Sequence, residues 1–141
     1  MAADAARSTT LLTDEDYIAL AEFRCELRRF HFFSEQEARQ QGLTPKQHQA
    51  LLSIRGTPEG RQTVGDLARR LLVKPNTASE LAARLAEQGL LERQMGADGR
   101  VVLLELSARA EELLSSLSSA HLAELRRIKP LLKRLIDRIG G

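Results

Sequence analysis

The chain has 141 residues, with 21 Lys and Arg against 19 Asp and Glu and a sequence pI near 9.0. That length fits one modest domain, and so mildly basic a balance does not by itself indicate a nucleic-acid partner until the charges are placed. The single cysteine excludes an internal disulfide and a thiolate zinc site and fits a cytoplasmic compartment; no apolar run spans a bilayer, and the N-terminus lacks a signal-peptide core.

In chain order, residues 1–12, rich in Ala, Ser and Thr, read as a loose arm. Thr13-Asp14-Glu15-Asp16 then supplies a cap and carboxylates suited to the positive end of a helix dipole, and a helix is expected over 14–41, stopped by Gly42. Its apolar stripe is Leu20, Phe23, Leu27 and Phe30, widened by Tyr17, Ile18, Ala21 and Cys25. Thr44-Pro45-Lys46-Gln47 is a second helix start, with Thr as cap, Pro at the first position and Gln closing a capping box. That helix extends to about Arg55, with Gln47, Ala50, Leu51 and Ile54 inward. A loop over 56–60 leads to Arg61 and Gln62, which can add a short strand to a later sheet.

From Thr63 to Leu106 the pattern changes to short elements. Thr63 caps a helix over 64–70, with Asp66 placed to return a hydrogen bond. Residues 71–74 turn the chain, and Pro75 opens a second helix over 75–88, closed by Gly89. On this helix Ala78, Leu81, Ala82 and Leu85 face a core, leaving Asn76, Thr77, Ser79, Glu80, Ala83, Arg84 and Glu87 outside. Strands over 90–95 and 100–106 flank the turn Gly96-Ala97-Asp98-Gly99, with Arg93, Asp98 and Arg100 at or near its tip. Ser107 caps a helix over 108–128, and Pro130 is expected to kink or restart it. Leu131, Leu132, Leu135, Ile136 and Ile139 then form an apolar face that a monomer would waste, while Arg126, Arg127, Lys129, Lys133, Arg134 and Arg138 form a solvated basic side.

Helix, turn, helix and hairpin in this order make a winged helix-turn-helix, so the expected fold is mainly α with a small β-hairpin wing, framed by N- and C-terminal dimerisation helices. A helix that pushes its N-terminus into a major groove needs short hydrogen-bonding side chains and free amides in its first turn, as Asn76-Thr77-Ala78-Ser79 supplies. An arginine at a wing tip can enter a narrow minor groove, and Asp98 is placed to orient the Arg100 guanidinium.

Thr63-Val64-Gly65-Asp66-Leu67-Ala68, Thr77-Ala78-Ser79-Glu80-Leu81-Ala82-Ala83-Arg84-Leu85, Gln88-Gly89-Leu90-Leu91-Glu92-Arg93 and Asp98-Gly99-Arg100-Val101-Val102-Leu103 together resemble the MarR family of bacterial transcriptional regulators, over about residues 14–139. The resemblance implies a homodimer that binds pseudo-palindromic operator DNA, usually as a repressor, and is released by a small ligand or oxidant. It divides the chain into an arm (1–12), a first dimerisation helix (13–42), a winged domain (43–106) and C-terminal dimerisation helices (107–141). The candidate DNA contacts are Thr63, Lys74, Pro75, Asn76, Thr77, Ser79, Glu80, Arg84, Asp98 and Arg100. Asn76, Thr77, Ser79, Glu80 and Arg84 match the base-reading helix, and Arg100 matches the wing arginine. Two positions depart from the family pattern. Glu80 stands where many members carry arginine, and either accepts from a cytosine amino group or discriminates against wrong sequences. The Asp-x-Arg-x-x-Arg wing is reduced to Arg100 alone.

The five aromatics all fall on the first helix and read as dimer or domain core. A sharper alternative makes Phe30, His31 and Phe33, with His48, the lining of a pocket for an aromatic or amphipathic effector. His31, His48 and His121 lie on separate expected helices, and the chain holds no HExxH, phosphate loop or serine elbow, so neither catalysis, a cofactor nor a metal is expected. Cys25 reads as a buried, inert thiol. A winged-helix module that docks proteins without binding DNA is the competing reading; steep salt dependence of duplex binding separates the two.

Overall fold

The computed structural model describes residues 11–139; most of the expected N-terminal arm and the closing Gly140 and Gly141 lie outside that range. Five helices and three strands follow in the order α1 (Asp14–Gln40), α2 (Pro45–Arg55), β1 (Arg61–Gln62), α3 (Val64–Leu71), α4 (Pro75–Glu87), β2 (Leu91–Met95), β3 (Val102–Leu106) and α5 (Ala108–Ile139). None of these helices is long and apolar enough to cross a membrane.

The helix starts follow capping chemistry. Thr13 and Asp16 exchange bonds at the head of α1, with the Asp16 carboxylate accepting from the Thr13 N–H at 2.9 Å. At α2 the Thr44 hydroxyl accepts from the Gln47 N–H and the Gln47 side chain accepts from the Thr44 N–H, a complete capping box behind Pro45. At α3 only half of the expected box forms: the Thr63 hydroxyl accepts from the Asp66 N–H at 3.1 Å, while the Asp66 carboxylate pairs with Arg69, one turn on. Ser107 caps α5 by accepting from the Ala110 N–H and donates its hydroxyl to the Gly89 carbonyl at 2.7 Å, which ties the end of α4 to the start of α5.

The described residues divide into two compact units, one of residues 11–31 and 124–139, the other of residues 32–123. The second unit holds the main core: Leu43, Ala50, Leu51 and Ile54 from the α2 region, Leu67 and Ala68 from α3, Ala78, Ala82 and Leu85 from α4, Leu104 and Leu106 from β3, and Ala110, Leu114 and Leu117 from α5. All four inward positions expected on α2 are buried. On α4 three of four are, and Leu81 is half-buried against the same core. The sheet is antiparallel in the order β1-β3-β2, with Gln62 opposite Leu104 and Leu91 opposite Leu106. In the first unit Ala19, Ile128 and Leu135 are buried, while Tyr17, Ile18, Leu20, Phe23, Leu27, Ile136 and Ile139 are exposed.

Two further differences from expectation concern helix ends. Helix α5 runs unbroken from Ala108 to Ile139 with Pro130 inside it, so the chain does not restart there. Proline removes one N–H from the ladder and crowds the carbonyl four residues back, but 22 residues of helix precede Pro130 and nine follow it, enough on each side to carry one missing bond. Leu72, closing α3, takes the left-handed conformation with φ 58° and is 91% exposed. Its N–H closes α3 on the Ala68 and Arg69 carbonyls, and the Val73 N–H bonds the Ala68 carbonyl at 3.1 Å. The αL position makes the tight α3–α4 turn, normally a task for glycine.

Candidate nucleic-acid interface

The turn at Leu72 and Val73 brings Lys74 to the N-cap of α4 and Pro75 to its first position. Lys74 has no side chain able to cap, and no side-chain hydrogen bond is made there. Pro75 brings no N–H, and the first main-chain bond returns from Ala78 to the Lys74 carbonyl at 3.1 Å. The amides of Asn76 and Thr77 are therefore left for an outside acceptor, at the positive end of the helix dipole. Lys74, Pro75, Asn76, Thr77, Ser79, Glu80 and Arg84 are all exposed, whereas Ala78, Ala82 and Leu85 anchor the opposite side of the helix in the core. Gly89, with φ 73°, ends this helix in the left-handed region open to a residue without Cβ, and aims the chain into β2.

Thr63 is half-buried, and its hydroxyl already accepts the capping bond from Asp66. It stands at the start of α3, in the same unit as α4. Arg93 lies opposite Leu104 within the β2–β3 ladder and not at the hairpin tip. Asp98 and Arg100 are at the tip and exposed. The Asp98 carboxylate accepts from the backbone N–H of Arg100 at 3.1 Å, instead of orienting the Arg100 guanidinium as expected. With only Gly99 between acceptor and donor positions, the short Asp side chain closes a local turn on the main chain. Gly99, with φ 70°, completes that turn, and the Arg100 guanidinium is left free of it.

Among the described residues, ion pairs occupy Arg61 with Glu105 and Arg69 with Asp66, but none holds Lys74, Arg84, Arg93 or Arg100. These four sit on α4, its N-cap and the wing; Lys46 on α2 and Arg70 on α3 are also without an ion pair. Thr77, Glu80 and Arg84 share one wall of a groove of about 300 Å³ with Val73 and Leu81, and Thr44, Lys46 and Gln47 of α2 form the other wall. Lys46 was not among the residues picked from the sequence; its only sign there is its place directly after Pro45 in the first turn of α2.

Of the four proposed effector residues, Phe30 and His31 belong to the first unit and Phe33 and His48 to the second. Phe30 and His31 are edge-to-face neighbours on α1, with ring centroids 6.3 Å apart. Phe33 and His48 instead both meet His121, at 5.4 and 4.9 Å between centroids. The His121 Nδ1 lies 2.6 Å from the Leu117 carbonyl, which can only accept, so that nitrogen carries the proton; in the neutral ring Nε2 then accepts from the Ser34 hydroxyl at 2.8 Å. Burial, and secondly the charge of His121, hold the buried His48 below the ordinary imidazole value. This knot joins α1, α2 and α5 inside the second unit. No cluster of three or more His, Cys, Asp or Glu able to hold a metal occurs among the described residues, and Cys25 is a half-buried free thiol.

Comparison with known proteins agrees with this geometry. The sequence pattern described as the MarR family matches residues 41–100, from the end of α1 to the wing tip. No curated protein matches the chain by sequence. Among solved structures, a MarR family protein from Bacillus stearothermophilus aligns with TM-score 0.72 at 19% identity, over 92% of this chain and 100% of that one. AbsC, a MarR family transcriptional regulator from Streptomyces coelicolor, aligns with TM-score 0.67 at 20% identity, over 92% and 99%. A Staphylococcus aureus MepR variant bound to an oligodeoxyribonucleotide aligns with TM-score 0.66 at 18% identity, over 91% and 99%. The MarR family pattern thus spans the helix-turn-helix and wing, and the chain shares the fold of these MarR family structures along more than nine-tenths of its length.

Proposed function

We propose that the protein is a MarR-type transcriptional regulator that binds pseudo-palindromic operator DNA as a cytoplasmic homodimer, acts as a repressor, and is released by a small aromatic or amphipathic effector. The observation that carries this reading is the exposed first turn of α4, with uncapped amides, short polar side chains and an unpaired Arg84, beside a wing whose arginine is also unpaired. On this reading Asn76, Thr77, Ser79, Glu80 and Arg84 face base edges; Lys74, Pro75 and Thr63 stand at phosphates; and Arg100, on the turn held by Asp98, enters the minor groove. The MepR variant of the same fold, solved with an oligodeoxyribonucleotide, supports the choice of duplex DNA as partner.

Dimerisation is supported by the exposed apolar side chains of α1 and α5, which a lone soluble chain gains nothing by presenting. Residues 13–42 and 107–141 would then hold two winged domains, 43–106, with recognition helices about 34–36 Å apart. The effector would act at Phe33 and His48, and at Phe30 and His31, by binding better to a dimer whose reading helices are wrongly spaced. Selection of duplexes from a random pool by the full chain tests the proposal: a two-fold symmetric motif is expected, and no enrichment with no duplex binding at low salt would refute it.

A further inference from the structure

The outward side of α4 presents a single carboxylate within the proposed base-reading set. Glu80 is exposed one turn before Arg84, and both line the same groove wall with Thr77. Glutamate and arginine four residues apart on a helix attract one another, yet no ion pair joins these two, or Glu80 and Lys46 across the groove, among the described residues. Both head groups are open to whatever docks on α4. A carboxylate pressed toward a polyanion is repelled by phosphates, and its desolvation is costly unless a donor meets it. In the major groove only the cytosine N4 and adenine N6 amino groups donate, and adenine sets its N7 acceptor beside N6, where it repels a carboxylate. Cytosine offers its donor without that neighbour. The guanidinium of Arg84 has the complementary preference, for the O6 and N7 acceptors of guanine. A helix rise of roughly 6 Å between the two positions lets them address one C·G pair or adjacent pairs.

Building on the DNA-binding reading above, we propose that Glu80 is a specificity-determining residue, selecting cytosine through its N4 amino group at one position of each half-site, with Arg84 on guanine in the same or the next pair. Glu80 then lowers affinity for DNA in general and restores it only where the amino group is present.

The test compares motifs selected from random duplexes by the full-length protein and by Glu80→Ala, then measures affinity for the wild-type motif with cytosine, N4-methylcytosine or thymine at the selected position. The wild type is expected to bind the two altered sites roughly ten-fold more weakly. Glu80→Ala should bind the cytosine and N4-methylcytosine sites alike, since both keep the guanine that Arg84 addresses, and bind random duplex at least as tightly as the wild type. Unchanged cytosine preference in Glu80→Ala overturns the proposal and leaves DNA binding standing. Failure of the wild type to bind any duplex at low salt overturns the DNA-binding reading itself, and this proposal with it.

Discussion

Arg84 and Arg100 are both exposed and unpaired, but their placement assigns them different work. Arg84 stands on a rigid helix anchored by Ala82 and Leu85, which suits reading a base edge; Arg100 stands on a hairpin turn, which suits contact with backbone and groove. Arg84→Ala is predicted to weaken binding to the selected operator by about 1–3 kcal/mol, and less to random duplex. Arg100→Ala is predicted to weaken all sequences more evenly and to reduce the salt slope by about one unit. Affinities for operator and random duplex over a salt series check both; equal, negligible losses would mean the face is misassigned.

His48 makes a residue-level prediction independent of DNA. Its charged form is disfavoured in the fold by burial and then by His121, so the unfolded chain binds that proton more readily. The stability it confers is complete above the ordinary imidazole value of about 6.5 and is lost as pH falls from there toward the lowered folded value. Urea unfolding across pH 5–8 should show this decline in the wild type and a shallower one in His48→Gln. Parallel profiles would contradict the assignment. The exposed residues of α4 were legible in the sequence because periodicity alone sorts a short helix into two faces. The meeting of His48 with His121 was not, since 73 positions separate them and only the packing of α2 on α5 brings the rings together. Nor does a sequence tell whether Asp98 bonds the main chain or the side chain of Arg100.

At the level of elements, local chemistry explains most boundaries. Thr13, Thr44, Thr63 and Ser107 cap the helices whose starts they mark in the sequence, and Gly89 closes α4. Where a residue has a choice of partners the sequence is less informative: Asp66 turns to Arg69 instead of the Thr63 amide, and Pro130 sits in a helix that continues past it. The α3–α4 turn is the least comfortable element, because Leu72 holds a conformation that costs a side-chain-bearing residue about 1 kcal/mol or more. Its side chain is exposed and contributes little packing. Leu72→Gly is therefore predicted to stabilise the protein by roughly 0.5–1 kcal/mol in denaturant unfolding, with secondary structure unchanged. A loss of stability would show that the leucine side chain has a packing role.

For the whole molecule, the fold places the core-anchored α4 and a wing in one unit, and leaves the long helices with apolar side chains in solvent. Ile136 and Ile139 are 64% and 63% exposed at the end of α5, and Leu20, Phe23 and Leu27 are exposed along α1. Sedimentation of the full chain is predicted to give twice the 15.7 kDa chain mass, and Phe23→Glu with Ile136→Glu to give monomers with weakened operator binding. Wild-type monomers at micromolar concentration would remove the dimer from the account. The apolar stripes were legible in the sequence, but what covers them was not, because periodicity shows that a face must be buried and not by what.

The central claim, that the α4 face and the wing grip a DNA duplex, is tested most directly by the salt dependence of affinity for a selected operator. Two protomers making six to ten phosphate contacts predict that log affinity falls against log salt with a slope of about −5 to −9. A flat dependence, or no duplex binding at 50 mM salt, would contradict it.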